Sequence, residues 1–131
     1  MPAPQNTSFD PLTQPLAGKH SIEASAGTGK TYSITLLWLR LMIEHGLGVD
    51  QILVSTFTKA ATAELRDRLL ASLRRAHASA IALKQGYEVA DTPESRIILA
   101  RSELATDGYA TLCLQLANAL SSFDLAPIST M

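Results

Sequence analysis

The stretch EASAGTGKT, residues 23–31, places two glycines, a lysine and a threonine between an apolar run and a helix-like run. Phosphate-binding loops follow the pattern G-x-x-x-x-G-K-[ST], which this chain meets with alanine in the first position. Small residues let backbone N–H groups converge on phosphate oxygens, the lysine reaches the β and γ phosphates, and the hydroxyl ligates Mg²⁺. The pattern predicts a nucleotide-phosphate site with Thr31 as the metal ligand, over Ala24, Ser25, Ala26, Gly27, Thr28, Gly29, Lys30 and Thr31. The alternative is a glycine turn that only links a strand to a helix.

A second candidate site lies in TFTKAATAEL, residues 56–65, at the end of the second predicted strand. Ligands bind doubly wound sheets at the carboxyl ends of the strands. The hydroxyls of Thr56 and Thr58, the ring of Phe57 and the cation of Lys59 suit a nucleic-acid phosphate or a stacked base. A threonine N-cap with a buried phenylalanine explains the same residues, and from the residues alone this second interpretation is favoured.

Alternating strands and helices must position the two loops. Apolar patterning predicts a strand over residues 20–24, a helix from 30 to about 45 closed by Gly46, and a strand over 51–57. Strand, helix and strand give a right-handed β-α-β unit. The helix is apolar nearly all round and the second strand is apolar, so we expect a parallel sheet covered on both faces.

The rest of the chain is predicted to be mostly helical. A helix from 58 to about 84 stops at Gly86 and buries a stripe of Ala61, Leu65, Leu69 and Leu73. A helix is predicted to begin at Asp91-Thr92-Pro93-Glu94, with Glu94 reaching back to the Asp91 amide, and to run to about 105. Another covers 110–122, and a third strand opens within 126–131, with exposed apolar surface along its edge. Residues 1–18 are proline-rich and predict an irregular N-terminal arm.

Composition limits the possible functions. The chain has 131 residues, 47% of them apolar and 18% charged, which predicts one domain with one core. A net charge of −1 gives no global basic field, so any nucleic-acid contact must come from a local patch. No secretory signal and no apolar run long enough for a membrane span is found, so we expect a cytoplasmic protein. His20, His45 and His77 share no metal-ligand spacing, and Cys113 is predicted to be a buried core thiol.

Together the two motifs resemble a known family. EASAGTGKT followed by TFTKAATAELRDRL at residues 56–69 resembles the first two motifs of the superfamily 1, UvrD-like DNA helicases, and within them the RecB-type helicase–nucleases, the beta subunits of exodeoxyribonuclease V. PLTQPLAGKHSIEAS and FDLAPIST are also similar to that family. The resemblance covers nearly the whole chain.

The resemblance implies a P-loop NTPase (RecA-like) α/β fold, with residues 19–131 forming part of a helicase ATP-binding domain. It implies ATP and Mg²⁺ as cofactors, held by the loop at residues 26–31. It also implies a single-strand DNA contact at Thr56, Phe57, Thr58 and Lys59. The implied partners are single-stranded or duplex DNA and the other subunits of a helicase–nuclease complex that acts in double-strand-break repair.

One part of the family's machinery is not found in this sequence. ATP hydrolysis needs an acidic pair after an apolar strand, and arginines that neutralise the transferring phosphate. No aspartate here is followed by glutamate, and the arginines fall on predicted helices with exposed-face periodicity: residues 40, 66, 68, 74, 75, 96 and 101. We therefore expect the first portion of a helicase motor domain, which binds nucleotide weakly and does not cleave it. The alternatives are a non-catalytic remnant or interaction module, and a small stand-alone P-loop enzyme such as a kinase.

Overall fold

The computed structural model describes residues 21–24 and 28–130, and side chains from Tyr32 onward. The predicted N-terminal arm over residues 1–18 lies outside the described residues. So do residues 25–27 of the glycine-containing loop and the side chains of the loop's other residues.

Three parallel strands form one sheet in the order β1, β2, β3. Strand β1 spans Ser21–Ala24, β2 spans Leu53–Thr56 and β3 spans Ile128–Thr130. The register pairs Ala24 with Thr56 and Thr56 with Thr130, so the three strands end at the same edge. The predicted α/β architecture with a parallel sheet is confirmed.

Strand β2 is shorter than the predicted strand over residues 51–57. The segment Val49–Gln51 forms a 3₁₀ turn instead, and the backbone N–H of Gly48 donates to the Gln51 side chain at 2.8 Å. Side chains that hydrogen-bond nearby backbone groups compete with the strand ladder in this way. The strand therefore begins only after this turn.

The prediction that the sheet is covered on both faces is wrong for the described residues. Along β2, Val54 and Thr56 are buried, Ser55 is half-buried and Leu53 is 45% exposed. Because successive side chains of a strand point to opposite faces, this alternation means that helices cover one face only. The exposed residues of β3, Ser129 and Thr130, carry hydroxyls, so the apolar surface predicted along that strand is also wrong.

Two long helices cover the buried face of the sheet. Helix α1 spans Thr28–His45 and α2 spans Lys59–Lys84, close to the predicted bounds. Each ends before a glycine with a positive φ, Gly46 at +67° and Gly86 at +82°, a conformation that a Cβ penalises. Local sequence signals therefore determine where both helices end.

Helix α2 lies at the centre of the packing, where it contacts α1, β2 and β3 as well as the two later helices. The leucines of its predicted stripe are buried, while Ala61 is half-buried. From α1, the fully buried ring of Trp38 meets Phe123 edge to face, with ring centroids 6.0 Å apart. The large side chains that are fully buried include Leu36, Leu39, Met42, Ile52, Leu65, Leu69, Leu73, Ile98, Leu112 and Leu116.

The third helix, α3 (Pro93–Leu99), starts where predicted, but a different side chain completes its cap. Thr92 and Ser95 form the capping box, each side chain accepting from the other's backbone N–H. The prediction that Glu94 reaches back to the Asp91 amide is wrong, because its carboxylate is buried against α2. There it accepts hydrogen bonds from Ser72 at 2.8 Å and from Arg75 at 3.1 and 3.2 Å.

Helix α3 ends at Leu99, earlier than the predicted residue 105. The guanidinium of Arg101 is 2.6 Å from a Glu103 carboxylate oxygen and 3.8 Å from one of Glu44 on α1. The chain then forms a 3₁₀ turn over Ser102–Ala105 before the last helix, α4 (Ala110–Ser121). The pair with Glu44 joins residues distant in sequence, so local propensity gave no sign of this contact.

Arg101 lies outside the helix in which it was predicted, and the exposed-face periodicity predicted for the arginines is wrong for Arg40. Its side chain is buried on α1 and forms a two-point ion pair with Glu44, at 2.6 and 3.2 Å. The planar guanidinium matches a carboxylate in this geometry. Arg68, in contrast, forms an exposed ion pair with Glu64 at 3.0 Å.

Candidate functional site

The two candidate loops follow neighbouring strands at the same edge of the sheet. Ala24, the last residue of β1, pairs with Thr56, the last residue of β2. Residues 25–27 follow the first of these strand ends, and Phe57 and Thr58 follow the second. The structure thus brings the strand ends that carry both sequence-predicted loops next to each other.

Helix α1 begins at Thr28, earlier than the predicted Lys30, so residues 28–31 form its first turn. The first four N–H groups of a helix have no partner within the helix, and its dipole is positive at this end. A phosphate bound there would be stabilised by both effects. The individual roles of Ala24 and of residues 25–31 stay predictions.

The second loop exposes an aromatic ring. Phe57 is 56% exposed, and Lys59, two residues on, is also exposed. Thr58 caps α2, because its hydroxyl accepts from the Ala61 backbone N–H at 3.0 Å. The interpretation of this stretch as a threonine N-cap with a buried phenylalanine is therefore confirmed for the cap and wrong for the phenylalanine.

Thr56 faces the protein interior rather than solvent. Its side chain is fully buried, and its hydroxyl lies 3.2 Å from the carbonyl oxygen of Thr58 and 3.4 Å from that of Ser129. It also bonds to the hydroxyl of Thr62. Of the residues predicted for this loop, Phe57 and Lys59 have solvent-exposed side chains, while the buried Thr56 side chain forms hydrogen bonds within the protein.

Sequence reasoning missed Thr62. Its hydroxyl bonds to those of Thr56 and Thr130 and to the carbonyl oxygen of Thr58. A polar residue four positions after an N-cap lies on the same face of the helix as the cap. That spacing was the only signal in the sequence, since the bond to Thr130 joins residues far apart in the chain.

A cavity of about 340 Å³ opens beside the start of α1, between α1, α2 and α3. Tyr32, the residue after Thr31, lines it and is about half exposed. Arg75 also lines it, but its charge is compensated by Glu94. Asp91 precedes Thr92, which also lines the cavity, and the hydrogen bond from Arg96 lowers the pKa of the Asp91 carboxyl group.

Two further possibilities concern metal and thiol chemistry. Within residues 21–24 and 28–130, no group of three or more His, Cys, Asp or Glu side chains is placed to hold a metal ion. Cys113 is buried in the core, as predicted, and burial raises the pKa of its thiol. In the same described ranges, no helix is both long and apolar enough to cross a membrane.

Comparison with known families shows to which family the chain belongs. The family described as the UvrD/REP helicase N-terminal domain matches residues 5–113. The chain belongs to the UvrD/REP helicase N-terminal domain family. The predicted kinship with UvrD-like helicases is thereby confirmed.

Several curated relatives of this chain carry the name RecBCD enzyme subunit RecB. The chain is 51% identical to the Escherichia coli K12 protein in an alignment 73 residues long that covers 50% of this chain and 6% of that protein. It is 36% identical to a Buchnera aphidicola protein in an alignment 112 residues long that covers 73% of this chain and 10% of that protein. It is 34% identical to the Mycobacterium tuberculosis H37Rv protein over 110 residues, 83% and 9% respectively. The chain therefore aligns with a tenth or less of these relatives.

Proposed function

We propose that this chain is the ATP-binding N-terminal part of an ATP-dependent DNA helicase subunit, with a P-loop (RecA-like) fold over residues 19–131. The pairing of Ala24 with Thr56 carries the proposal. It places the end of the strand before the predicted phosphate loop beside the strand end that bears exposed Phe57 and Lys59. One sheet edge then serves both nucleotide and DNA.

The nucleotide half of the site rests on the first turn of α1. Lys30 and Thr31 lie in that turn by backbone position, where Lys30 would hold the phosphates and Thr31 would ligate Mg²⁺. Bound Mg²⁺ neutralises phosphate charge, and ATP supplies the transferable phosphoryl group. The first-turn amides of residues 28–31 would orient the phosphates, and the start of α1 only a few residues after the end of β1 supports this role.

The DNA half of the site rests on Phe57 and Lys59. The exposed ring would stack on a base of single-stranded DNA, and the lysine would neutralise a phosphate. Because both halves share a sheet edge, nucleotide binding would be coupled to the DNA contact. In the full assembly we propose other subunits of a helicase–nuclease complex as partners in repairing DNA breaks in the cytoplasm.

Phe57→Ala is expected to weaken binding of a fluorescein-labelled oligothymidylate by roughly 5- to 30-fold, because base–aromatic stacking contributes about 1–2 kcal/mol. Fluorescence anisotropy titration measures the affinity. Tyr87→Ala is the matched control, since Tyr87 is also an exposed aromatic residue, 67% exposed, in the connection after α2. Equal affinities for the two variants would exclude a DNA role for the Phe57 loop.

Lys59→Ala is expected to change the salt dependence of the same binding. Each phosphate neutralised on a single strand contributes about 0.7 to the slope of log Kobs against log salt concentration. The slope of the variant should therefore be shallower by about 0.7. Lys84→Ala, which removes an exposed lysine at the opposite end of α2, should leave it unchanged; a slope equally unchanged in Lys59→Ala would remove the phosphate contact.

A further inference from the structure

We propose that Thr62 is a positioning residue for the DNA-contact loop, Phe57 to Lys59, and that its hydroxyl fixes this loop to the ends of β2 and β3. This inference rests on the proposed DNA function and deepens it. Thr62 itself lies on α2, one turn past the helix start, and is half-buried.

The hydroxyl of Thr62 meets three partners from three different segments. It lies 3.0 Å from the carbonyl oxygen of Thr58 in the loop and 2.8 Å from the hydroxyl of Thr130 at the end of β3. It also bonds to the hydroxyl of Thr56 at the end of β2. One side chain thus ties the loop to both strand ends.

The hydroxyls of this cluster have a consistent hydrogen-bond arrangement. A threonine hydroxyl has one proton and two lone pairs. If Thr62 donates to the Thr58 carbonyl oxygen, its lone pairs accept the protons of Thr56 and Thr130. Thr56 also lies 3.2 and 3.4 Å from the carbonyl oxygens of Thr58 and Ser129, so its buried hydroxyl keeps an acceptor when Thr62 is replaced. The bonds that depend on the Thr62 hydroxyl alone are therefore those that join the Thr58 carbonyl oxygen and Thr130 to α2.

The cluster acts on the loop through Thr58. The carbonyl oxygen of Thr58 accepts from the Thr62 hydroxyl and from the Thr62 backbone N–H, both at 3.0 Å. The Thr58 side chain caps α2 by accepting from the Ala61 N–H. Thr58 is thereby held at both its backbone and its side chain, and Phe57 and Lys59 are its immediate neighbours. Valine at position 62 keeps the shape of the side chain but removes all three hydroxyl bonds.

The test compares Thr62→Val with Thr62→Ser, which keeps the hydroxyl, and with Ser79→Ala. Ser79 is a half-buried hydroxyl on the same helix, about 25 Å further along its axis. Thr62→Val is expected to weaken oligothymidylate binding roughly three- to tenfold, the effect of one or two lost hydrogen bonds. Thr62→Ser should bind within about twofold of the parent chain, since it restores the donor. If Phe57→Ala weakens binding while Thr62→Val binds like Ser79→Ala, the positioning role is overturned.

Amide hydrogen exchange separates this outcome from failure of the DNA proposal itself. Thr62→Val should speed exchange at Ala61 and at position 62, the amides that Thr58 accepts, severalfold more than Ser79→Ala does. If Phe57→Ala has no effect on DNA, faster exchange in Thr62→Val still supports the positioning role, and unchanged exchange overturns it.

A second variant covers the case in which Thr62→Val does not fold. Thr130→Val removes only the bond to β3, at an exposed residue. It should speed the same two exchange rates and weaken oligothymidylate binding by roughly two- to fivefold. No change in either measurement would overturn the link between β3 and the loop.

Discussion

Leu69→Ala is expected to lower the free energy of unfolding by about 2–5 kcal/mol. Leu69 is fully buried near the middle of α2, and α2 contacts β2, β3 and all three other α-helices. Truncating it removes apolar contacts and leaves a cavity that surrounding helices fill only in part. Since domains of this size are stabilised by only about 5–15 kcal/mol, this single change removes a large share of the total.

Urea denaturation followed by tryptophan fluorescence measures this effect. Trp38 is the only tryptophan of the chain and is fully buried, so its emission reports exposure of the core. Leu114→Ala is the control, because it removes the same atoms from α4 at a side chain that is 63% exposed. It should change stability by less than about 0.5 kcal/mol. Equal effects of the two substitutions would show that α2 is not the centre of the core.

Local signals predicted the elements that depend on nearby residues. The start of α2 follows from the Thr58 cap, and the ends of α1 and α2 follow from Gly46 and Gly86, whose positive φ values end each helix. Each of these signals acts within a few residues of the boundary that it sets. The pattern of apolar residues likewise predicted the order of the first two strands and the buried stripe of α2.

Contacts between distant segments could not be predicted. Glu94 was expected to cap its own helix, but it lies buried against Ser72 and Arg75 of α2. Strand β2 reads as apolar, yet Leu53 is exposed, because in the described residues no helix covers that face. Periodicity shows which residues can be buried, whereas the neighbours that bury them come from the tertiary fold.

The candidate site shows the same division. Its loops were found from residue type and spacing, but the sequence alone favoured a buried Phe57, and the structure shows the ring exposed. Thr56 was expected to contact phosphate and instead bonds inward to Thr62. The short motif therefore predicted a site, while the tertiary contacts decide which of its side chains are exposed.

Lys30→Ala is expected to weaken ATP binding by at least about 30-fold, the effect of losing a charged partner of a phosphate, about 2–4 kcal/mol. Lys30 lies in the first turn of α1, directly after the sheet edge that also carries the DNA-contact loop. The amides of that turn would still attract phosphate, so binding should be weakened rather than abolished. Loss of the lysine should act on affinity without unfolding the chain, which the emission of Trp38 monitors.

Calorimetric titration with ATP and Mg²⁺ compares Lys30→Ala with Lys84→Ala, the exposed lysine at the far end of α2. The control should bind like the parent chain, because its charge lies at the opposite end of that helix. Phosphate release should be undetectable throughout, since no aspartate of this sequence is followed by the glutamate that an acidic pair requires. Equal affinities of the two variants would reject the nucleotide site. Sustained phosphate release would instead mean that carboxylates outside an acidic pair perform the hydrolysis, and would favour a stand-alone P-loop enzyme over a helicase portion.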